Sequence, residues 1–323
     1  VNKFIGMWAF SIYNMEEKSL FCSRDRFGIK PFYYLQHENN LYFSSEIKSI
    51  KLTPYFSSEL NLSQINRGLQ LGWVGYKNET YYSCIQSLEP GHNLVYKDNQ
   101  LSISSYWSYP SKQISISTEE AIHQFKELFD DSLKLHVRSD VPIGATLSGG
   151  IDSSSIVSSL LKNKLSENLE TFSIYYDSHE GYDERPFIQT ISQKYPKQFQ
   201  LNYYSPNEQE IAKDFDAIAH TMDFPLSGSS PISQYYVMKL AKEKDIKVIL
   251  SGQGADDYMG GYMHSYYRLF GEWMKHFQFG KLSKGIKDYK KIHEVSNSKL
   301  TNVLMKSMLS SLMSEDAIYK FEY

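Results

Sequence analysis

Short apolar runs with alternating polar positions dominate the first third of the chain. Aromatic and β-branched residues recur at every second position and turn-forming residues separate the runs, which predicts strands. A helical spacing of apolar residues occurs in this part only over residues 62–71. The sequence therefore predicts a β-rich segment with one helix and with strands over residues 4–13, 18–23, 32–36, 41–44, 81–84, 93–96 and 101–107.

The pattern changes near Pro110, where a capping-box sequence over residues 117–120 precedes apolar residues at helical spacing. Helix candidates beginning at Ser153 and near Pro231 then alternate with strand candidates over residues 143–147, 171–176, 198–203 and 247–250. This order predicts a doubly wound α/β domain with a parallel sheet and helices on both faces. We place the boundary at residues 108–117, which gives two segments, 1–110 and 111–323.

Composition excludes several classes of protein. The 34 Lys and Arg against 37 Asp and Glu leave a net charge of −3, without the basic excess that phosphate-backbone binding requires. Cys22 and Cys84 are too few for a disulfide scaffold or a four-thiolate zinc site, and we interpret both as packing residues on strands in a reducing, cytoplasmic setting. The Lys-rich helices after Met263 are interpreted as a solvated face rather than as a nucleic-acid patch, given the acidic net charge.

The strongest local signal is a Gly- and Ser-rich loop that follows the strand over residues 143–147 and opens a helix. Its glycines admit backbone N–H groups close to a ligand, its hydroxyls add donors, and a helix start favours anions. It lacks the Gly-Lys-Ser/Thr ending of a Walker A loop. A turn that uses Gly and Ser for geometry alone is the alternative. The candidate anion-binding residues are Ser148, Gly149, Gly150, Ser153 and Ser154, with Asp152 beside them as a Mg²⁺ ligand.

A second Gly-rich loop, over residues 251–262, follows the strand over residues 247–250. In a doubly wound sheet both loops lie at the carboxyl edge, where ligands bind. Two such loops, each with an acid, can converge on one Mg–nucleotide. Asp152 and Asp256 are then the candidate metal ligands, and an acidic surface turn is the alternative.

Residues 148–154 resemble the pyrophosphate loop of the N-type ATP pyrophosphatases, and residues 251–262 resemble the second loop of the glutamine-hydrolysing asparagine synthetases. Residues 172–174 and 182–184 resemble that family's adenine-edge strand and the stretch after it, and residues 222–225 with Ser230 are similar, less closely, to its substrate-side loop. The later part of the family's glutaminase domain is similar to residues 6–10, 23–31, 43–48, 88–92 and 106–107. Within the second of these stretches, Arg24 and Asp25 are expected to form a structural ion pair. The resemblance covers about residues 1–262 in consistent order.

The resemblance implies part of an N-terminal-nucleophile glutaminase domain followed by an ATP-pyrophosphatase domain. In the family, Mg-ATP and aspartate form β-aspartyl-AMP and pyrophosphate, and ammonia from glutamine then displaces AMP to give asparagine. By resemblance, Leu147 and Ile174 would frame the nucleotide, Ser251 and Gly252 would hold it through the backbone, and the first loop would hold pyrophosphate. A homodimer is also implied.

Three departures from the family pattern affect these expectations. The family's cysteine nucleophile begins the mature chain, whereas this chain begins with Val1 at a point that matches the later half of the domain. Gln253 stands where many relatives carry a carboxylate, and its neutral amide cannot act as a base. At position 257 the family usually has Glu, whereas this chain has the shorter Asp257, which could partly compensate for the missing carboxylate. The chain ends at Tyr323, before the family's lysine-bearing segment. We therefore expect a fragment of a longer reading frame that lacks glutaminase activity, with Gln253 and Asp257 as its candidate catalytic residues.

Three other functions stay open. A related enzyme could adenylate another carboxylate, as β-lactam-forming ligases and amidating enzymes do. The chain could also bind nucleotide without catalysis. RNA modification shares the first loop, but the acidic net charge and the glutaminase-like segment argue against it. We therefore expect small-molecule substrates, with no nucleic-acid or membrane partner.

Overall fold

The computed structural model of the protein describes residues 1–112, 114–176, 184–226, 228–293 and 295–312. Packing divides the chain into two units. The first unit combines Val1–Asp131 with Tyr204–Leu240, and the second combines Ser132–Tyr203 with the residues from Ala241 onwards.

The strands of the first unit form two antiparallel sheets. In chain order these strands are β1 (Ala9–Asn14), β2 (Ser19–Arg24), β3 (Tyr33–His37), β4 (Asn40–Ser44), β5 (Gln86–Ser87), β6 (His92–Lys97) and β7 (Gln100–Ser105). One sheet has the order β1-β2-β6-β7 and the other the order β4-β3-β5. A buried cluster of Cys22, Phe32, Tyr34, Leu88 and Leu94 stabilises this part of the unit.

The second unit is built on a sheet of β8 (Ile143–Thr146), β9 (Leu169–Ile174), β10 (Phe199–Tyr204) and β11 (Val248–Leu250). Its order is β10-β9-β8-β11, and β8 pairs in parallel with both β9 and β11. The strand-rich first part and this parallel sheet confirm the mixed α/β fold class. Since β8 and β11 are parallel neighbours, the loops that follow them leave the same edge of the sheet.

Helix ends follow local sequence signals. In chain order the helices are α1 (Ile47–Ile50), α2 (Leu62–Leu71), α3 (Thr118–His136), α4 (Ile151–Lys162), α5 (Arg185–Lys194), α6 (Glu208–Met222), α7 (Ser230–Glu243), α8 (Ala255–Met259), α9 (Met263–Lys275), α10 (Phe279–His293) and α11 (Asn297–Leu312). The Asn61 side chain accepts a hydrogen bond from Gln64 N at the start of α2, and Gly72 ends that helix in the left-handed conformation. Asn207 and Glu210 form a capping box at the start of α6.

The predicted strand over residues 81–84 is wrong. Tyr82 makes only an isolated bridge to Leu60, and the regular strand is β5, further along the chain. The Thr80 hydroxyl accepts a hydrogen bond from Tyr82 N and donates to Ile85 O, and this local turn competes with strand pairing. Cys84 therefore lies outside a strand and donates to Ser57 O, whereas Cys22 is buried on β2 as predicted.

The start of the first strand, the presence of α1 and the start of α4 also differ from the prediction. The first strand begins at Ala9 rather than at residue 4, and before it the Arg26 guanidinium donates hydrogen bonds to the carbonyls of Asn2 and Phe4. The single-turn α1 was not predicted, since four residues are too few to establish a helical period. Helix α4 begins at Ile151, two residues before the predicted start.

Arg24 and Asp25 hold the backbone of the first unit rather than each other. The buried carboxylate of Asp25 accepts hydrogen bonds from the backbone N–H groups of Trp8, Phe27, Ile29 and Lys30. The Arg24 guanidinium donates to the carbonyls of Gly28, Lys30 and Leu88 and to the Ser87 hydroxyl. Both side chains are structural, but the expected ion pair is not among those of the described residues.

Helices α9, α10 and α11 pack around Phe270, Tyr289 and Val303. The lysines of α10 are exposed, which agrees with a solvated face, and they are Lys281, Lys284, Lys287, Lys290 and Lys291. None of the described helices combines the length and apolar composition that crossing a bilayer requires. The predicted boundary between residues 110 and 111 falls in the irregular stretch between β7 and α3, and it stays a prediction.

Candidate functional site

Two Gly-rich loops leave the carboxyl edge of the second unit's sheet. The first loop (residues 148–154) connects β8 to α4, and the second loop (residues 251–262) follows β11 and contains α8. The spatial convergence predicted from the sequence follows from the parallel pairing of β8 with β11.

The Ser153 hydroxyl organises the first loop from inside. It accepts a hydrogen bond from Ser148 N, shares one with the Ser148 hydroxyl at 3.1 Å, and contacts Gly150 O. Only 5% of Ser153 is exposed. Ser148 in turn accepts a hydrogen bond from Gly150 N. The loop hydroxyls thus satisfy the loop's own N–H groups, and an entering anion would exchange with these hydrogen bonds.

Gly149 is the residue that allows the first loop to lie against α5. Its φ of +91° is a conformation that side chains disfavour. A Cβ there would stand 2.8 Å from Glu184 O and 3.2 Å from Phe187 Cβ. The start of α5 therefore forms a wall beside the loop, and only glycine fits between them.

The second loop touches the start of α4 through Gly252. A Cβ at Gly252 would stand 2.8 Å from both Asp152 Cβ and Ser153 N. This close approach places the backbone of the second loop directly beside the first turn of α4.

The acids of the two loops influence each other. Burial, and then the neighbouring Asp256 carboxylate, raise the pKa of Asp152. Burial, with further contributions from Asp257, Asp256 and Asp152, raises the pKa of the Tyr262 phenol. The sequence-predicted pair Asp152 and Asp256 is therefore brought together, with Tyr262 beside it.

The predicted nucleotide-framing residues lie on the strand ends. Leu147 is buried, its N–H donates to Phe172 O, and its carbonyl accepts a hydrogen bond from the Ser173 hydroxyl. Ile174 is the last residue of β9 and is half-buried. Ser251 accepts a hydrogen bond from Gln253 N through its hydroxyl, which shapes the turn before α8.

The candidate catalytic residues lie at the surface. Gln253 precedes α8 and is exposed, and Asp257 is exposed in the first turn of that helix. Both side chains are open to solvent.

A divalent cation fits the acidic pair only with help from a ligand. The described residues contain no group of three or more His, Cys, Asp or Glu that could hold a metal ion. Mg²⁺ is commonly held by one or two carboxylates together with substrate phosphates and water. Asp152 and Asp256 match that donor set, and a bound cation would offset the Asp256 repulsion that, after burial, raises the pKa of Asp152.

Two neighbours of the site were not assigned a role from the sequence. Glu184 supplies the wall against Gly149, and burial raises the pKa of its carboxyl. Tyr262 adjoins the acidic pair. Both lie at the ends of motifs recognised in the sequence, but only the packing reveals their neighbours. Tyr182 and Asp183, from the same motif as Glu184, lie outside the described residues. The substrate-side resemblance over residues 222–225 and Ser230 falls in the first unit.

Two family models match the chain. Residues 124–318 match the asparagine synthase model, and residues 1–107 match a glutamine amidotransferase domain model. The first match includes both Gly-rich loops.

Individual relatives agree with these models. The chain is 34% identical over 267 residues to a Methanocaldococcus jannaschii protein named "Putative asparagine synthetase (glutamine-hydrolyzing) 2", covering 81% of this chain and 51% of that protein. It is 31% identical to asparagine synthetase (glutamine-hydrolyzing) 1 of Bacillus subtilis, covering 81% of this chain and 40% of that protein. It is 26% identical to amidase chry2 of Gibberella zeae, with 80% and 40% coverage.

The chain spans about half the length, or less, of the curated relatives it matches. The asparagine synthase match extends over more than half of the chain and contains the parallel sheet with both of its loops. The chain therefore belongs to the asparagine synthase family.

Proposed function

We propose that the protein takes part in the ATP-dependent amidation of aspartate to asparagine, with ammonia derived from glutamine. The observation that carries this proposal is the convergence of the two Gly-rich loops on Asp152 and Asp256 within the asparagine synthase match. The glutamine amidotransferase match over residues 1–107 supports glutamine as the nitrogen source.

The first step is adenylation. A β-carboxylate oxygen of aspartate attacks the α-phosphorus of ATP, the bond to the β-phosphate oxygen breaks, and β-aspartyl-AMP and pyrophosphate form. Ser148, Gly149, Gly150, Ser153 and Ser154 would neutralise the leaving pyrophosphate with N–H and hydroxyl donors at the start of α4. Leu147 and Ile174 would border the nucleotide, and the backbone of Ser251 and Gly252 would hold it.

Asp152 and Asp256 would hold Mg²⁺, which supplies charge neutralisation at the phosphates when bound. Burial and the neighbouring Asp256 carboxylate raise the pKa of Asp152, and this supports the assignment because a cation would offset the repulsion within such a pair.

The second step is amidation. The ammonia nitrogen attacks the acyl carbon, AMP leaves with the bonding electrons, and the nitrogen loses a proton to yield the amide. Gln253 can donate or accept a hydrogen bond here but cannot take the proton. Asp257, in the same loop, is a carboxylate that could accept it.

Pyrophosphate release with ammonia as the nitrogen source tests this proposal directly. We expect aspartate to stimulate release and Asp152→Ala to abolish it, while the exposed surface variant Asp140→Ala retains it. A wild-type protein that releases no pyrophosphate with aspartate, ATP, Mg²⁺ and ammonia would contradict the assignment.

The second candidate function is the adenylation and amidation of a carboxylate other than aspartate. The similarity to a protein named an amidase and the neutral side chain of Gln253 favour it. A panel of carboxylates in the same assay separates the two. Stimulation by another carboxylate, with none by aspartate, would select this second candidate and retain the adenylation chemistry.

A further inference from the structure

A cavity of about 600 Å³ lies within the first unit. Its lining residues come from α1, α2, the end of α6 and the segments next to these helices, and none of them belongs to either Gly-rich loop. Pockets that hold small organic molecules commonly have volumes of about 300–1,000 Å³. The cavity therefore has the size of a ligand site, and the proposed adenylation and amidation steps leave it unused.

The lining is mainly apolar. Its larger apolar side chains are Ile47, Leu60, Ile65, Leu69, Phe224 and Leu226. Leu60 is 49% exposed and Leu69 is 83% exposed, although the burial of a leucine side chain is favourable. A ligand with an aliphatic part would remove this surface from water, and the hydrophobic effect would favour its binding.

One acid and one lysine of the lining neutralise each other. Asp223 accepts hydrogen bonds from Ile47 N at 2.9 Å and from Lys48 N at 3.1 Å. Its Oδ2 also lies 3.3 Å from Lys48 Nζ, which in turn lies 3.3 Å from Glu46 Oε2. The Asp223 carboxylate thus has its partners within the protein, and it does not select a cationic ligand.

Lys51 is a cation of the lining that no carboxylate of the described residues neutralises. Its Nζ donates to Tyr82 Oη at 2.9 Å and lies 5.0 Å from the centre of the Tyr82 ring and 5.8 Å from that of Phe56. These contacts position the ammonium, and its remaining N–H donors can bind an anionic oxygen. His220 also lines the cavity, has no acidic partner in the part of the chain that the structure describes, and adds a second cation when it is protonated. The charges of the lining therefore favour an anion.

We propose that this cavity is a binding site for an aliphatic carboxylate, with the carboxylate on Lys51 and the hydrocarbon chain among the leucines. One permanent cation without an acidic partner matches a ligand with one negative charge. Aspartate is a poor fit, because it has two carboxylates and no hydrocarbon chain to cover the leucines. The inference is independent of the proposed function, since none of the lining residues carries a step of adenylation or amidation.

Calorimetric titration of the protein expressed from its complete gene tests the site with hexanoate, octanoate and decanoate as probes. We expect one equivalent to bind and the Kd to fall about fourfold for each added CH₂ group, since each buried CH₂ contributes a nearly constant free energy. Octanol has the same chain as octanoate but no charge. It should bind about tenfold more weakly, because it lacks the charge-assisted hydrogen bond to Lys51.

Two variants test the residues that form the site, each with a matched control. Lys51→Gln should weaken octanoate binding about tenfold and leave octanol binding unchanged, whereas Lys126→Gln, at an exposed position of α3, should change neither. Ala219→Trp places an indole ring in the cavity and should reduce decanoate binding at least tenfold. Ala217→Trp, at an exposed position of the same helix outside the lining, should retain it.

Melting temperatures of the four variants identify any that fail to fold. If Ala219→Trp does not fold, Lys51→Gln and the comparison of octanoate with octanol decide the question. A wild-type protein that does not bind decanoate, or equal decanoate affinities of Ala219→Trp and Ala217→Trp, would overturn the inference. Displacement of decanoate by aspartate would also overturn it, since the cavity would then belong to the substrate site. None of these results bears on pyrophosphate release, which tests the proposed function separately.

Discussion

At the scale of single residues, the site depends on small side chains that permit close approach. Gly149 and Gly252 leave space for neighbouring backbone, and the Ser153 hydroxyl occupies the inside of the first loop. Larger residues would separate the loop from α5 or the two loops from each other. The residue types in the motif therefore serve the shape of the site as well as its chemistry.

Gly149→Ala should damage the first loop, whereas Gly150→Ala should be tolerated. The first change adds a Cβ 2.8 Å from Glu184 O at a positive φ, and the second meets only the Ser148 hydroxyl at 3.4 Å. We expect Gly149→Ala to lose roughly 10²-fold in pyrophosphate release, because small displacements of positioning groups cost that much. Steady-state assays of both variants check this, and equal activities would show that the wall formed by α5 does not constrain the loop.

Asp152→Asn should stabilise the ligand-free protein at neutral pH. Because the folded protein raises the pKa of Asp152, ionisation destabilises the fold as the pH rises from the unfolded pKa through the folded one. The variant removes this effect, so its melting temperature should exceed that of the wild type at pH 7, and the difference should vanish below pH ~4, near the ordinary pKa of an aspartate. Thermal melts of Asp152→Asn from pH 4 to pH 7 measure this difference, with Asp140→Asn as the control. A lower melting temperature of Asp152→Asn than of the wild type at pH 7 would contradict the prediction.

At the scale of elements, backbone capping determines where the helices start and turn. Helix α6 begins with a capping box and ends at Asp223 in the left-handed conformation. Helix α1 is capped from α6 rather than by its own preceding residue. Local signals thus explain α6, but α1 depends on a partner far along the chain.

Asn207→Ala should destabilise the first unit by about 1 kcal/mol, the usual cost of losing an N-cap side chain. The Asn207 side chain accepts a hydrogen bond from Glu210 N, and the Glu210 carboxylate accepts one from Asn207 N. Gln209→Ala, in the same turn and exposed, should be nearly neutral and is the matched control. Urea unfolding of both variants measures the difference, and equal midpoints would mean that the box contributes no net stability.

At the scale of the whole molecule, family segments and packed units do not coincide. Residues 204–240 match the asparagine synthase model but pack with the segment that matches the amidotransferase model. The two-segment division from the sequence places them with the second segment. Chain order alone cannot show which segments pack together. The predicted boundary therefore divides the sequence, and it does not predict that residues 204–240 pack with the first segment.

A protease site inserted after Lys112 tests this arrangement. Cutting there leaves Asp223 and Phe224 on one fragment and α1, which Asp223 caps, on the other. We expect the two fragments to elute together in native gel filtration and to separate in urea. Separation without denaturant would show that contacts such as Asp223 with α1 are too weak to hold the first unit.

The sequence by itself determined the elements that have strong periods and distinctive turns. The predicted and observed bounds are identical for α2 and close for the strands of the parallel sheet, because the apolar period and the Gly-rich turns are local properties of the sequence. The two loops and their acids were identified for the same reason, since each motif is contiguous along the chain.

The tertiary structure decided what depends on distant neighbours. Helix α1 forms where Asp223, far along the chain, caps it. The wall of Glu184 against Gly149 and the repulsion between Asp152 and Asp256 exist only after folding. Hydrogen bonds, steric contact and electrostatic repulsion act over a few ångströms, and only the folded chain brings residues so far apart in sequence within that range.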